Sequence, residues 1–282
     1  STRFIMKSLF NLLSLKDEKI NIKLILLMGL LAYVFAIVVR FGWVDMFNEA
    51  TNFYWNDQIM INTNDGYFFA EGARDILAGG NQPNDLSPIN LPISKLTAFL
   101  AKIIPVSFET LILYMPSFFG SLLAVPIFLM GAAIRQYTIG FIAALIGAIG
   151  WSYYNRTMVG YFDTDLLIVV LPTFLIASII YSLQRKSYLA MLFVPVFAIY
   201  AQNWHSGGIH ISNGLFYLLF AYTLFFDTKV KLNYKLLALI AISILSIDIY
   251  IKLVMAILLW GVFYKFKDDM NDKILYIILG LI

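Results

Sequence analysis

The chain has 282 residues, 61% hydrophobic and only 13% charged, with a formal net charge of +3. A soluble domain of this length is about half apolar and a quarter charged, so the composition excludes a water-soluble globule and indicates an integral membrane protein. The small charge, without a basic patch interleaved with aromatics, argues against a nucleic-acid partner; the lack of cysteine and the presence of only two histidines exclude disulfides, thiolate metal sites and a histidine-rich zinc site.

The N-terminal stretch STRFIMKSLFNLLSLKDEKINIK is basic. No small-residue cleavage site follows its apolar run, which reads as a retained signal anchor. About nine membrane spans are expected, near 23–42, 108–133, 138–154, 166–184, 188–203, 209–226, 235–249, 251–264 and 274–282. Several are shorter than the ~20 residues a perpendicular helix needs. Around Asp248 the pattern reads as two helices joined by a tight turn, with Asp248 and Lys252 placed to pair. The last run, 274–282, is too short to cross a bilayer. The chain is therefore expected to be the truncated front portion of a longer protein. On this reading residues 1–282 form one all-α, polytopic transmembrane domain.

Residues 43–107 form one long loop between the first two spans. Within it, DGYFFAEGARDILAGG reads as a short helix ended by Gly79-Gly80, and QPNDLSP as a turn cluster. ISKLTAFLAKII puts Leu96, Phe99, Leu100 and Ile103 on one face, as in a helix lying in the membrane interface.

Orientation follows from the lysine and arginine bias. With the N-terminus in the cytoplasm, alternation puts fourteen of these residues inside and six outside, namely Arg40, Arg74, Lys95, Lys102, Arg156 and Lys252. The outer side also receives most carboxylates, among them Asp65, Asp163 and Asp165.

Asp163 and Asp165 stand at the mouth of a long apolar run, where desolvating charge is expensive. Residues two apart diverge by about 200° on a helix and point the same way on an extended chain. If both carboxylates serve one ligand, 161–165 must be extended and the helix must start near Leu166. A hard divalent cation takes such oxygen ligands. The competing reading is capping, which suits Asp163, Thr164 or Asp165 equally. Asp65, after Asn64 and before Gly66, has the same two readings, although Phe68 completes no capping box. Arg156 either snorkels to the surface or holds one of the aspartates. Asn155-Arg156-Thr157 is also an N-x-T sequence, too close to the membrane to favour modification. Glu71, Arg74 and Asp75 read as a solvated, locally paired face. His205 and His210 flank HSGGIH after Trp204: either an interfacial aromatic belt with a glycine turn, or a phosphate contact in which the glycines let backbone N–H groups approach.

TNDGYFFAEGARD, QPNDLS, SFETLILYM, GFIAALIGAI and SYYNRTMVGYFDTDLLIVVLP together resemble the membrane domain of the bacterial single-subunit oligosaccharyltransferase family, from about Arg40 to Ile282. The resemblance implies a GT-C membrane fold in the bacterial inner membrane, acting as a monomer with the active site facing the periplasm. It implies transfer of an oligosaccharide from a polyprenyl-diphosphate carrier to the Asn amide of a D/E-x-N-x-S/T sequon in an acceptor polypeptide, inverting and dependent on Mn²⁺ or Mg²⁺. By the same resemblance Asp65, Asp163 and Asp165 are catalytic and metal-binding, with Asp165 supporting Asp163. Arg156 accompanies that motif, and His205 and His210 fall where the family usually carries a Tyr and a Ser near the lipid diphosphate. The family's later catalytic glutamate, its diphosphate-binding arginine and its soluble C-terminal domain with the WWDYG motif find no match in this sequence, so the chain alone is expected to be catalytically incomplete.

Three alternatives keep a place. Another GT-C enzyme using a polyprenyl-phosphate sugar would modify a lipid or a hydroxyl. A transporter would concentrate charge at mid-bilayer, whereas these charges gather at the outer mouths. A structural membrane subunit would tolerate loss of Asp65 and Asp163.

Overall fold

The computed structural model describes residues 18–19, 21–81, 84–267, 271, 275 and 280. The basic N-terminal segment before Glu18, and most of the expected last span at 274–282, lie outside them. Helix α1 (Ile22–Asn48) is followed by a 3₁₀ turn and a small hairpin, β1 (Tyr54–Trp55) paired antiparallel with β2 (Gln58–Ile59). Asn56 and Asp57, both at positive φ, make its two-residue turn. Next come α2 (Asn64–Ala78) and α3 (Pro92–Ile103). The bundle continues with α4 (Phe108–Ser121), α5 (Ala124–Ala133), α6 (Tyr137–Ala148), α7 (Trp151–Asn155), α8 (Asp165–Ile168) and α9 (Val170–Arg185). It closes with α10 (Tyr188–Trp204), α11 (Gly208–Phe226), α12 (Lys231–Ile244) and α13 (Ile249–Phe266).

Among the described residues, five stretches are long and apolar enough to cross a membrane: Ile22–Met46, Phe108–Ala133, Asp165–Arg185, Gly208–Phe226 and Ile249–Phe266. Tyr137–Ala148 and Tyr188–Trp204 are shorter apolar helices. The protein is a multi-pass membrane protein, and its surface shows it. Leu26 on α1, Phe225 on α11 and Leu258 on α13 are 67%, 79% and 65% exposed, which only a hydrocarbon solvent permits over so wide an area.

Prolines place the breaks inside the spans. Pro126 leaves the Leu122 carbonyl without its helical donor, and the chain steps through a tighter turn between α4 and α5, where Leu122 N–H donates to Phe119 O at 3.1 Å. Pro172 does the same to Ile168, and α8 ends there. Contacts between helices use small residues, as packing in lipid requires. A Cβ on Gly131 would fall 2.8 Å from the Gly140 nitrogen, so α5 and α6 meet backbone to backbone.

Among the described residues four apolar clusters hold the bundle, and three of them are large. One joins α1, α5 and α6 around Ala36, Phe128 and Ala144. Another joins α9 to α13 around Met191, Leu236 and Phe263. The third, with Ile61, Ile112, Phe162, Leu166 and Trp204, lies beneath the loops that carry the acidic residues.

One local expectation is corrected. Asp248 and Lys252 do not pair. Asp248 caps α13, accepting from Tyr250 N at 2.8 Å, while Lys252 Nζ donates to the Ser243 carbonyl at 2.9 Å, because that carbonyl is left open where α12 ends. In α3, Ile93, Ser94, Thr97 and Ala98 face the protein, and Phe99 and Ile103 are exposed. Part of the apolar face read from the sequence is thus left for the membrane, and small side chains let α3 lie close against α2.

Candidate active site

Asp65 belongs to the second turn position of α2, and Thr63 occupies the N-cap. The Thr63 hydroxyl does not cap the helix; it donates to the Phe162 carbonyl at 2.9 Å. Just before it, Asn62 N–H donates to the Gly160 carbonyl at 2.9 Å. A Cβ on Gly66 would fall 2.6 Å from that same Phe162 oxygen. The chain entering α2 is therefore bonded and packed along the chain that leads to Asp163. This pairing brings two acidic positions, 98 residues apart by subtraction of 65 from 163, onto neighbouring backbone segments. Asp65 is exposed and accepts no side-chain hydrogen bond among the described residues.

Asp163 is half-buried, and its Oδ1 accepts from the Thr164 amide at 2.5 Å and hydroxyl at 3.1 Å. Asp165 takes a different role. Its Oδ2 lies 2.7 Å from Arg156 Nε, in an ion pair whose carboxylate side chain is 15% exposed. The Asp165 carboxylate in turn holds the Arg156 guanidinium above its usual pKa, so Arg156 remains a cation. Thr164 is in the right-handed helical region, at φ −58° and ψ −19°, and the helix begins at Asp165. The segment is not extended as a shared ligand requires, and the two carboxylates diverge.

The opposite wall comes from the end of α10. Trp204 Nε1 donates to the Thr164 carbonyl at 2.7 Å, gripping the residue between the two aspartates. His205 follows in extended conformation, exposed and within electrostatic reach of Asp165, with Nδ1 accepting from Gly207 N–H at 3.1 Å. His210 is exposed in the first turn of α11. The fold thus assembles Asp65, Asp163, Asp165, Arg156 and His205 at one end of the bundle from four separate stretches.

The family model described as oligosaccharyl transferase STT3, N-terminal, matches residues 19–280. The chain belongs to this family. Two curated relatives are the undecaprenyl-diphosphooligosaccharide–protein glycotransferases of Campylobacter jejuni strain RM1221 and of a serotype O:2 strain of subspecies jejuni. Each is 38% identical over 251 residues, covering 89% of this chain but 35% of the relative, so the chain spans about a third of their length.

Among the described residues no three histidine or carboxylate groups gather closely enough to hold a metal ion. The expected trio of Asp65, Asp163 and Asp165 is therefore not assembled as a three-residue cage, because Asp165 is turned to Arg156. Asp65 and Asp163 are carboxylates, the donor type of which Mg²⁺ sites commonly use one or two, with water and substrate phosphate completing the shell.

Arg40 is the residue that sequence reasoning passed over. It is fully buried, although it was placed among the exposed outer charges. Its Nη2 donates to the Ala148 carbonyl and to Thr157 Oγ1, both at 2.9 Å, and its guanidinium lies 5.5 and 5.6 Å from the Tyr153 and Tyr154 ring centroids. Its signal was an arginine in the last turns of an apolar helix, which calls for a partner. Thr157 is accordingly 0% exposed, and it ties the end of Asn155-Arg156-Thr157 into this structural knot. Arg74 likewise reaches beyond its own helix to Glu109 Oε1 at 2.9 Å, and the Ser87 hydroxyl donates to Asp75.

Proposed function

We propose that this protein transfers an oligosaccharide from a polyprenyl-diphosphate carrier to the side-chain amide of Asn in D/E-x-N-x-S/T sequons, on the outer face of the bacterial inner membrane. The observation that carries the reading is the pairing of the Asp65 segment with the Asp163 segment through Asn62–Gly160 and Thr63–Phe162. Capping alone gives no reason for two acidic helix starts to be bonded together.

Each residue then has a task. Asp65, exposed and without a side-chain hydrogen bond among the described residues, accepts from the acceptor amide and lends an oxygen to a divalent cation. An amide nitrogen is a poor nucleophile because its lone pair is delocalised into the carbonyl, and a carboxylate bonded to its N–H favours a less conjugated geometry. Asp163, oriented by Thr164, is the second carboxylate of the cation site. Mg²⁺ or Mn²⁺, when bound, supplies Lewis-acid stabilisation of the charge developing on the diphosphate. Arg156 and Asp165 act as one unit that fixes the loop and offsets the acidic charge. His205 and His210 line the way to the lipid diphosphate. Displacement in a single step inverts the anomeric carbon. The remaining groups of the reaction, including a second acid and a sequon pocket, come from outside the stretch that the relatives share with this chain.

Glycosylation of a fluorescent sequon peptide by the full-length protein tests the reading. Asp65→Ala and Asp163→Ala should each abolish product while the protein remains folded and membrane-inserted. Full activity in either variant, or sugar appearing on Ser, Thr or lipid instead of Asn, would overturn it.

A further inference from the structure

At the end of the bundle away from Asp65 and Asp163, a cavity of about 1000 Å³ opens between α9, α10, α11 and α12. It lies the length of α10 from the acidic site, ~25 Å at 1.5 Å per residue. Its lining carries five lysines, Lys186, Lys229, Lys231, Lys235 and Lys267, and Asp227 is the one carboxylate among the described residues that line it. The Tyr222 hydroxyl donates to Asp227 Oδ2 at 2.7 Å. Lys235 is committed to the fold, donating to Tyr188 Oη at 3.2 Å and to the Lys267 carbonyl. Five lysines against one carboxylate leave the cavity strongly cationic.

Two independent features make this more than a charged surface. The first turn of α12 opens onto the cavity, and its N-cap, Val230, offers no side-chain acceptor, so N–H groups and the positive end of the helix dipole face inward. In that turn Asn233 is 1% exposed, and its Nδ2 has no hydrogen-bond partner among the described residues. A buried amide N–H without an acceptor is expensive, and an anion in the cavity supplies one. The side wall is apolar, with Leu215, Leu218 and Leu219, and Leu218 is 69% exposed towards the surrounding bilayer.

We propose that this cavity binds the phosphate headgroup of an anionic phospholipid, with an acyl chain lying along Leu218. Cationic pockets between transmembrane helices recognise such headgroups, and here lysine side chains, a helix N-terminus and an unpartnered buried amide converge on one volume. The site is separate from the carboxylates of the proposed reaction.

The test is thermal unfolding of the full-length protein in zwitterionic detergent, titrated with phosphatidylglycerol, phosphatidylcholine or inorganic phosphate. Phosphatidylglycerol should raise the melting temperature, and the other two should not. The double variant Lys186→Gln/Lys229→Gln should unfold near the wild-type temperature without lipid and bind phosphatidylglycerol about ten- to thirtyfold more weakly. Asn233→Leu, which removes the orphan amide without adding a demand on the core, should also reduce the lipid shift. Equal stabilisation by phosphatidylcholine overturns the proposal in favour of a bulk-lipid effect. Equal stabilisation by inorganic phosphate overturns it in favour of a free-anion site. An undiminished phosphatidylglycerol shift in both variants overturns it outright.

Discussion

Two apolar helices in this protein begin at an aspartate, and the two aspartates behave differently. Asp248 spends its carboxylate locally, on the Tyr250 and Ile251 amides of the helix it starts. At the head of the Asp165–Arg185 span, Asp165 reaches out to Arg156, Asp163 bonds the residue beside it, and Trp204 grips the carbonyl between them. The first arrangement needs nothing but its own turn. The second draws on α10 and on the loop before α2, which contribute nothing to starting that helix. Tertiary support for an acidic residue, rather than the residue itself, separates a site from a cap.

Breaking that contrast should produce graded effects. The largest is expected at the paired carboxylates: Asp163→Ala or Asp65→Ala should lower peptide glycosylation by ~10²-fold or more, the scale for removing a group that stabilises developing charge, with little change in melting temperature. Gly66→Val comes next. It leaves every carboxylate in place but drives a side chain into the Phe162 carbonyl, and product formation should fall at least about tenfold if the pairing of the two loops is what matters. Trp204→Phe removes one hydrogen bond, worth ~1 kcal/mol, and should slow transfer by about fivefold at the same substrate affinity. The smallest effect on catalysis belongs to Asp248→Ala. It should cost ~1 kcal/mol of stability as a lost N-cap, seen as a modest drop in melting temperature, with turnover per folded molecule unchanged. Loss of activity in Asp248→Ala equal to that in Asp163→Ala would erase the distinction.

Much of this was legible in the residues. Composition alone placed the protein in a membrane. Most apolar runs located the described helices closely, although α1 runs six residues past its expected end and α12 starts four residues early and ends five early; Gly79, at φ +102°, ends α2 where the sequence said it should. The acidic positions were also visible. Their division of labour was not, because it depends on the backbone at Thr164: an extended chain would have made Asp163 and Asp165 partners, and a helical one sends them apart. Local sequence is equally silent about the neighbour of a charge. Lys252 sits four residues from Asp248 and still bonds Ser243, since an open carbonyl at the end of α12 lies nearer to hand. Arg40 was read as one more outer cation because nothing within its own stretch predicts Ala148 and Thr157.

Arg40 also says something about how the molecule is made. It sits in the last turns of α1, yet its partners lie 108 and 117 residues further along the chain. At synthesis rates of about 5–20 residues per second, the guanidinium waits roughly 6–23 s before Thr157 has been translated. Through that interval the guanidinium lacks those two acceptors, and a charge without them avoids hydrocarbon; the later arrival of α6 and α7 completes its burial. The anchoring of α1 is thus finished by a segment made long after α1 itself.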